Sequence, residues 1–387
     1  MKKQTGLLSL LLALLLLASS LFGCQSKAPE PVDQTTDGEQ QTEPDQQTEQ
    51  TEEPGISVVY ELKARNLDPH TEVQNNYLKA RKYTAVTEEM DGKGDESKPQ
   101  PILLKWSRKV TGGQINRTET AVISKDEAFS DPIRIESQNS YVELYNVEIG
   151  QTFYWYVEGK AGKQIFKSDV ATFTTVSTAP RNLGVDGVTN CRDLGGWKAR
   201  DGVVLKQGVL FRSANFNKVT ADGKKVLLDD LGIKTEIELR MESQAPSTTE
   251  SMLGSKVNFV FAPMDDTASN LLTASVNADS LLKVFEVLGD EENYPIIFHC
   301  NIGTDRTGLI AFLVLGLCGV KEQDIYRDYL FSNFASIGSQ RGTGAIDKYL
   351  NTIEGTAGST LADKIENYLL SRGVTAEQIA TIRKMMR

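Results

Sequence analysis

Histidine is nearly absent from this sequence: His70 and His299 are the two among 387 residues. That scarcity excludes a three-histidine zinc site, an H-E-x-x-H helix and any mechanism needing several imidazoles. Acid and base work must therefore fall mainly to carboxylates. Positive charge is also short, with 42 Lys and Arg against 52 Asp and Glu and a net charge of −10. This balance argues against a nucleic-acid-binding surface, which would be basic. Cysteine is sparse too, at positions 24, 191, 300 and 318. At roughly 100 to 200 residues per domain the length suits two domains plus extra chain. No residue set calls for a metal or an organic cofactor.

What is present is organised in blocks. Lys2 and Lys3 precede an apolar run over residues 7–22, the layout of a secretory signal. The run is too short, and too soon followed by polar chain, for a stop-transfer helix. It ends in Leu21-Phe22-Gly23-Cys24, which resembles the lipobox of bacterial lipoproteins. The resemblance implies cleavage after residue 23, acylation of Cys24 and an extracytoplasmic protein held to the membrane by its lipid alone. Residues 24–54 then hold almost nothing apolar. From residue 25 to 54, nine acidic residues face the single Lys27, a net of −8, so this stretch is expected to be a disordered, extended tether. With +2 in the signal, −4 remains for residues 55–387.

Residues 55–177 show alternation and turn residues, with strands expected near 102–106, 142–147, 152–157 and 171–175, the pattern of an all-β sandwich. The run Phe153-Tyr154-Trp155-Tyr156-Val157, followed by Ala171-Thr172-Phe173-Thr174-Thr175, is similar to the last strands of a fibronectin type III or related immunoglobulin-like module. Aromatics alternating along a strand are read as core before ligand surface. The module is expected to space or dock the rest of the chain against a surface partner.

Residues 178–387 carry the chemistry. Pro295-Ile296-Ile297-Phe298-His299-Cys300 runs into Asn301-Ile302-Gly303-Thr304-Asp305-Arg306-Thr307-Gly308 and then an apolar stretch to Leu317. That order predicts a strand, a phosphate-cradling loop and a helix N-terminus, whose amides and dipole favour a tetrahedral dianion and a thiolate. Arg306 can return to the same centre with a planar fork that matches phosphate oxygens. Cys318, between Leu317 and Gly319, reads as a core thiol.

The segment resembles the Cys-x5-Arg signature of the protein tyrosine phosphatase superfamily. Asn190-Cys191-Arg192-Asp193-Leu194-Gly195-Gly196 resembles the N-x-R-D-x-G-G opening of its bacterial branch. The likeness extends over about residues 181–387 and implies an α/β fold with a short, mostly parallel sheet flanked by helices. It further implies a metal-independent phosphatase acting on phosphotyrosine, and in some members on phosphoserine, phosphothreonine or phosphoinositides. By that resemblance Cys300 is the nucleophile. Arg306 and the amides of Asn301, Ile302, Gly303, Thr304 and Asp305 hold the phosphate, and Thr307 assists the thiolate. Asp305 is the first choice for general acid and Asp265 the second. His299 is read as structural before catalytic. Arg192, Asp193 and Arg212 either line the site or brace it, and Asp193 alternatively pairs with an arginine at the Gly-Gly turn.

Two departures from the branch bear on substrate and redox chemistry. Thr304 stands where phosphoinositide-active members carry lysine, which weakens the inositol-phosphate alternative. Cys191, inside the N-x-R-D-x-G-G motif, reads first as a tolerated small residue and second as a disulfide partner for Cys300. An inactive, purely adhesive domain is the remaining alternative, and the intact Cys300, Gly303 and Arg306 argue against it.

Overall fold

The structure, a computed structural model, describes residues 55–387. The expected signal, Cys24 and the acidic tether lie outside the described residues. The first part contains β1 (Ser57–Arg65), α1 (Glu72–Lys79), β2 (Ile102–Thr111), β3 (Glu119–Ser124), β4 (Ile133–Ser137), β5 (Tyr141–Leu144), β6 (Thr152–Ala161), β7 (Gln164–Lys167) and β8 (Ala171–Thr174). They form two antiparallel sheets, one ordered β1-β2-β5 and one ordered β4-β3-β6-β7 with β8 also on β6. Period-two alternation decides which residues face inward. Ile102, Leu104 and Trp106 of β2 meet Phe153, Trp155 and Val157 of β6 in one apolar cluster fed by both sheets. Tyr154 and Tyr156, on the other face of β6, are only partly buried, so the aromatic run divides as a strand should.

An all-β reading of residues 55–177 needs correction, because residues 66–101 leave the first sheet between β1 and β2 and carry a helix. Thr71 and Gln74 close a reciprocal capping box that starts α1. Tyr77, Leu78 and, further on, Met90 are buried, and all three join the large core of the second part of the chain. This excursion is a strap: both ends are fixed in one strand pair, Arg65 opposite Leu103, while its apolar residues serve another core.

The second part follows with β9 (Arg192–Asp193), β10 (Leu210–Ser213), α2 (Ala221–Lys225), β11 (Thr235–Glu238), β12 (Asn258–Phe261), α3 (Ala278–Leu288), β13 (Ile296–His299), α4 (Asp305–Leu317), α5 (Glu322–Phe331), α6 (Gly344–Glu354), α7 (Leu361–Ser371) and α8 (Ala376–Met386). Its sheet is ordered β12-β11-β13-β10-β9, parallel throughout except for the β10–β9 pair. Such a sheet is covered on both faces, so its strands read as continuous apolar runs. All four residues of β13 are buried. Helix α4 is buried over every position from Arg306 to Leu317, as expected for a helix that is apolar all round.

The two parts meet through polar and apolar contacts. Gln207 exchanges hydrogen bonds of 2.8 and 3.0 Å with the backbone of Ile149, and the Arg181 guanidinium donates to the Asn146 carbonyl. Residues 55–387 fall in one compact unit, so the expected boundary near residue 178 lies inside it.

Candidate active site

Strand β13 delivers His299 and Cys300 to the carboxyl edge of the sheet, and α4 begins five residues after Cys300. Gly303 makes the turn between them at φ +70°. A Cβ there would sit 2.5 Å from the backbone of Ser213, so a side chain is excluded by space as well as by backbone conformation.

Three successive carbonyls of this loop are held on its outer side. The Asn301 carbonyl accepts from the Asn215 amide nitrogen at 2.7 Å. The Ile302 carbonyl accepts from Asn190 Nδ2 at 2.9 Å. The Gly303 carbonyl accepts from Asn190 Nδ2 at 3.1 Å and from Arg212 Nη2 at 2.8 Å. A trans peptide is planar with its N–H opposite its C=O, so the amides of Ile302, Gly303 and Thr304 face the opposite side of the loop. Tying the acceptors back in this way turns three successive N–H donors to one side.

The ties to Ile302 and Gly303 belong to one buried network. Asp328 accepts from Arg192 Nε at 2.9 Å and from Arg212 Nη1, while Arg192 Nη1 donates to Asn190 Oδ1 at 2.5 Å. Burial would raise the Asp328 pKa, but the two arginines outweigh it and hold the carboxyl below its ordinary value. Arg212 is pushed down to about 10 by burial and by the like charge of Arg192, against the pull of Asp328. Arg192 and Arg212 therefore stand behind the loop and do not line it. Asp193 sits at the Gly-Gly turn: it accepts from Arg181 at 3.0 Å and from the amides of Gly195 and Gly208 at 2.7 and 2.6 Å. Burial pushes the Asp193 pKa up in spite of those partners.

Arg306, in the first turn of α4, is held by three partners from other loops. Its Nη1 donates to Gln244 Oε1 at 2.7 Å and to the Met264 carbonyl at 3.2 Å, and its Nη2 lies 3.0 Å from Asp266. Arg306 Nε and Thr307 Oγ1 are buried and have no hydrogen-bond partner among the described residues. Buried donors of this kind mark where an acceptor belongs.

The two acid candidates differ. Asp305, at the first position of α4, accepts from the Tyr329 hydroxyl at 3.2 Å and from Arg341 at 3.4 Å. Asp265 accepts from the Thr267 hydroxyl at 2.7 Å and the Thr267 amide at 2.9 Å. These bonds, with the charge of Arg306, hold its carboxyl below its ordinary pKa. His299 donates or accepts at 3.0 Å with Glu236, packs on the Phe216 ring at 4.3 Å and is fully buried. Glu236, Glu238 and His299 come close enough to suggest a metal cluster, but Glu238 spans Arg240 with both oxygens and Glu236 also takes the Ser251 hydroxyl. Sequence reasoning missed Asp266, Gln244, Asn215 and Asn190. The adjacency of Asp266 to Asp265 and the place of Asn190 at the head of the N-x-R-D-x-G-G motif were the available signals.

Cys191 and Cys300 are separated by β10, since Arg212 pairs with Arg192 on one side and Phe298 on the other. Two strand spacings are roughly 10 Å, whereas disulfide Cα atoms lie about 4.4 to 6.8 Å apart. A bridge would need backbone movement. Burial pushes both the Cys191 and the Cys318 thiols up to about 12.

A strand ending at Cys300, a tied-back loop and Arg306 at the head of a buried helix make up the geometry of the candidate site. The model of the tyrosine phosphatase family matches residues 183–387, and the chain belongs to that family. A candidate tyrosine-protein phosphatase of Cupriavidus necator is 31% identical over 174 residues, covering 39% of this chain and 63% of that protein. A tyrosine-protein phosphatase of Nostoc commune is 29% identical over 139 residues, covering 31% of this chain and 47% of that protein. The chain thus spans between about half and just under two thirds of these relatives. Among solved structures, the core catalytic domain of the PP-IP phosphatase SIW14 from S. cerevisiae aligns with 19% identity and a TM-score of 0.31, over 44% of this chain and 92% of that one.

Proposed function

We propose that the protein is a metal-independent phosphatase that hydrolyses phosphate monoesters, with protein phosphotyrosine as its leading substrate class. The observation that carries this reading is the triple tying-back of the Asn301, Ile302 and Gly303 carbonyls beside Cys300. It leaves amide donors, Arg306 Nε and Thr307 Oγ1 as the free polar groups of the cradle.

In the reaction the Cys300 sulfur attacks phosphorus and the bond to the leaving oxygen breaks. Asp305 gives that oxygen its proton. Water then attacks the phosphocysteine, Asp305 takes up a proton, and inorganic phosphate and the Cys300 thiolate are released. Arg306 spans equatorial oxygens with its Nε edge while Gln244, the Met264 carbonyl and Asp266 fix its other edge. Thr307 donates to the departing thiolate. Asp305 is preferred to Asp265 because it stands in the loop itself, at the first position of α4.

Hydrolysis of p-nitrophenyl phosphate that persists with a chelator and vanishes in Cys300→Ser is the expected result. Activity retained in that variant sinks the reading. Asp305→Asn should slow poor leaving groups far more than good ones, and the reverse ranking with Asp265→Asn would exchange the two. A substrate panel on the full chain completes the test, and faster turnover of phosphoinositides than of phosphotyrosine peptides would overturn the substrate class. At the other end of the chain, acylated Cys24 is proposed to anchor the protein outside the cytoplasm. The two antiparallel sheets are proposed to act as a fibronectin-III-like spacer. Loss of labelled palmitate incorporation in Cys24→Ser would check the anchor.

A further inference from the structure

The strap touches more than the apolar core. Its second half, residues 87–99, runs along two loops that border the candidate active site. Gly92 accepts from the amides of Ile337 and Gly338 and donates to the Asn333 carbonyl at 3.0 Å, and the Thr87 and Met90 carbonyls accept from Gln340. Asn333 in turn exchanges two bonds with the backbone of Arg341, whose side chain reaches Asp305.

The other loop is the turn at Thr189 and Asn190. Asp95 Oδ1 accepts from the Thr189 hydroxyl and from the Ser97 hydroxyl, both at 2.7 Å. Ser97 Oγ then accepts from the Asn190 amide at 3.1 Å. Ser97 is 4% exposed and Asn190 1%, so this bond has little access to substitute water. Asn190 has φ +58°, in the left-handed region that costs most residues energy and that asparagine tolerates better. Something must hold that conformation, because the Asn190 side chain points two donor bonds at the Ile302 and Gly303 carbonyls.

We propose that the strap is part of the catalytic apparatus, with Ser97 as a positioning residue that sets the phosphate loop through Asn190. The proposal rests on the phosphatase reading of Cys300 and its loop. Ser97 lies outside residues 183–387, the part matched by the family model, so the N-terminal part of the chain supplies a component that the matched region lacks. Without the Ser97 hydroxyl the buried Asn190 N–H loses its acceptor. The turn can then relax, and the amides on the inner side of the loop move with the carbonyls that Asn190 restrains.

The test uses the full chain, with p-nitrophenyl phosphate turnover, tungstate affinity by calorimetry and melting temperature measured on each variant. Ser97→Ala should lower kcat and weaken tungstate binding together, each by about tenfold or more, because small displacements of a preorganised site are costly. Ser97→Thr, which keeps the hydroxyl, should restore both. A Ser97→Ala protein with wild-type kcat and tungstate affinity overturns the proposal even if it melts lower. Equal losses in Ser97→Ala and Ser97→Thr also overturn it, since packing would then be the cause. If the wild-type chain turns over no phosphate ester but its tungstate affinity falls in Ser97→Ala, the phosphatase reading fails and the positioning role stands. If it binds no tungstate either, both fail.

Discussion

The core between the two N-terminal sheets and the buried set behind the phosphate loop are both nearly sealed from solvent, yet they are built from opposite materials. Between the sheets lie Ile102, Leu104, Trp106, Phe153, Trp155 and Val157, whose burial is non-directional and contributes roughly 1.5 to 3 kcal/mol for each large side chain. Behind the loop lie Asn190, Arg192, Arg212 and Asp328, whose desolvation offsets most of their mutual attraction. The first arrangement gives stability with loose geometric demands. The second gives little net stability but fixes where the Ile302 and Gly303 carbonyls point.

Removing one member of the polar set should produce the largest effect. Asp328→Ala leaves two buried arginines without their shared counter-ion, and a loss of about 3 to 5 kcal/mol is expected, together with a fall in kcat. Urea unfolding and steady-state kinetics on the same preparation check both. Trp155→Ala should cost a similar ~3 to 5 kcal/mol through the cavity it leaves, but with kcat unchanged in the folded fraction. A Trp155→Ala protein that loses kcat in proportion to stability would erase the contrast between the two cores.

A smaller effect is expected from pH. Asp328 and Glu238 have folded-state pKa values below their ordinary ones. For Glu238 burial is outweighed by His299 and Arg240. Their contribution is present above the unfolded-state carboxyl pKa of about 4 and is lost as pH falls through the lower folded-state values. Urea midpoints should therefore drop as the pH is taken down from about 5 to 3, and less steeply in Asp328→Asn. An equal slope in the two proteins would place the acid sensitivity elsewhere.

The same contrast explains what could be read from the sequence. Alternation along residues 152–157 predicts β6 and its buried face because strand periodicity is local. The run from His299 to Gly308 is equally legible, since the cradle, its glycine and its arginine occupy one contiguous stretch. Arg306's partners were not legible: Gln244 lies 62 positions away and Met264 42, on different loops. That Asp266 and not its neighbour Asp265 pairs with Arg306 was equally hidden, since Asp265 is turned to Thr267 by local bonds. The strap was hidden for a different reason. Tyr77, Leu78 and Met90 are too few and too scattered to signal a periodic face, and the surface they cover is built by residues far along the chain.

That separation gives the strap a history during synthesis. It leaves the ribosome before the loops it will grip, and the bonds from Gln340 to the Thr87 and Met90 carbonyls join positions 253 and 250 residues apart. At about 5 to 20 residues per second, Met90 waits on the order of 12 to 50 s for its partner to be made. Through that interval the two sheets can pair and pin the strap's ends, while its apolar residues remain uncovered. The strap's contacts are completed only once the segment around residue 340 has joined the fold.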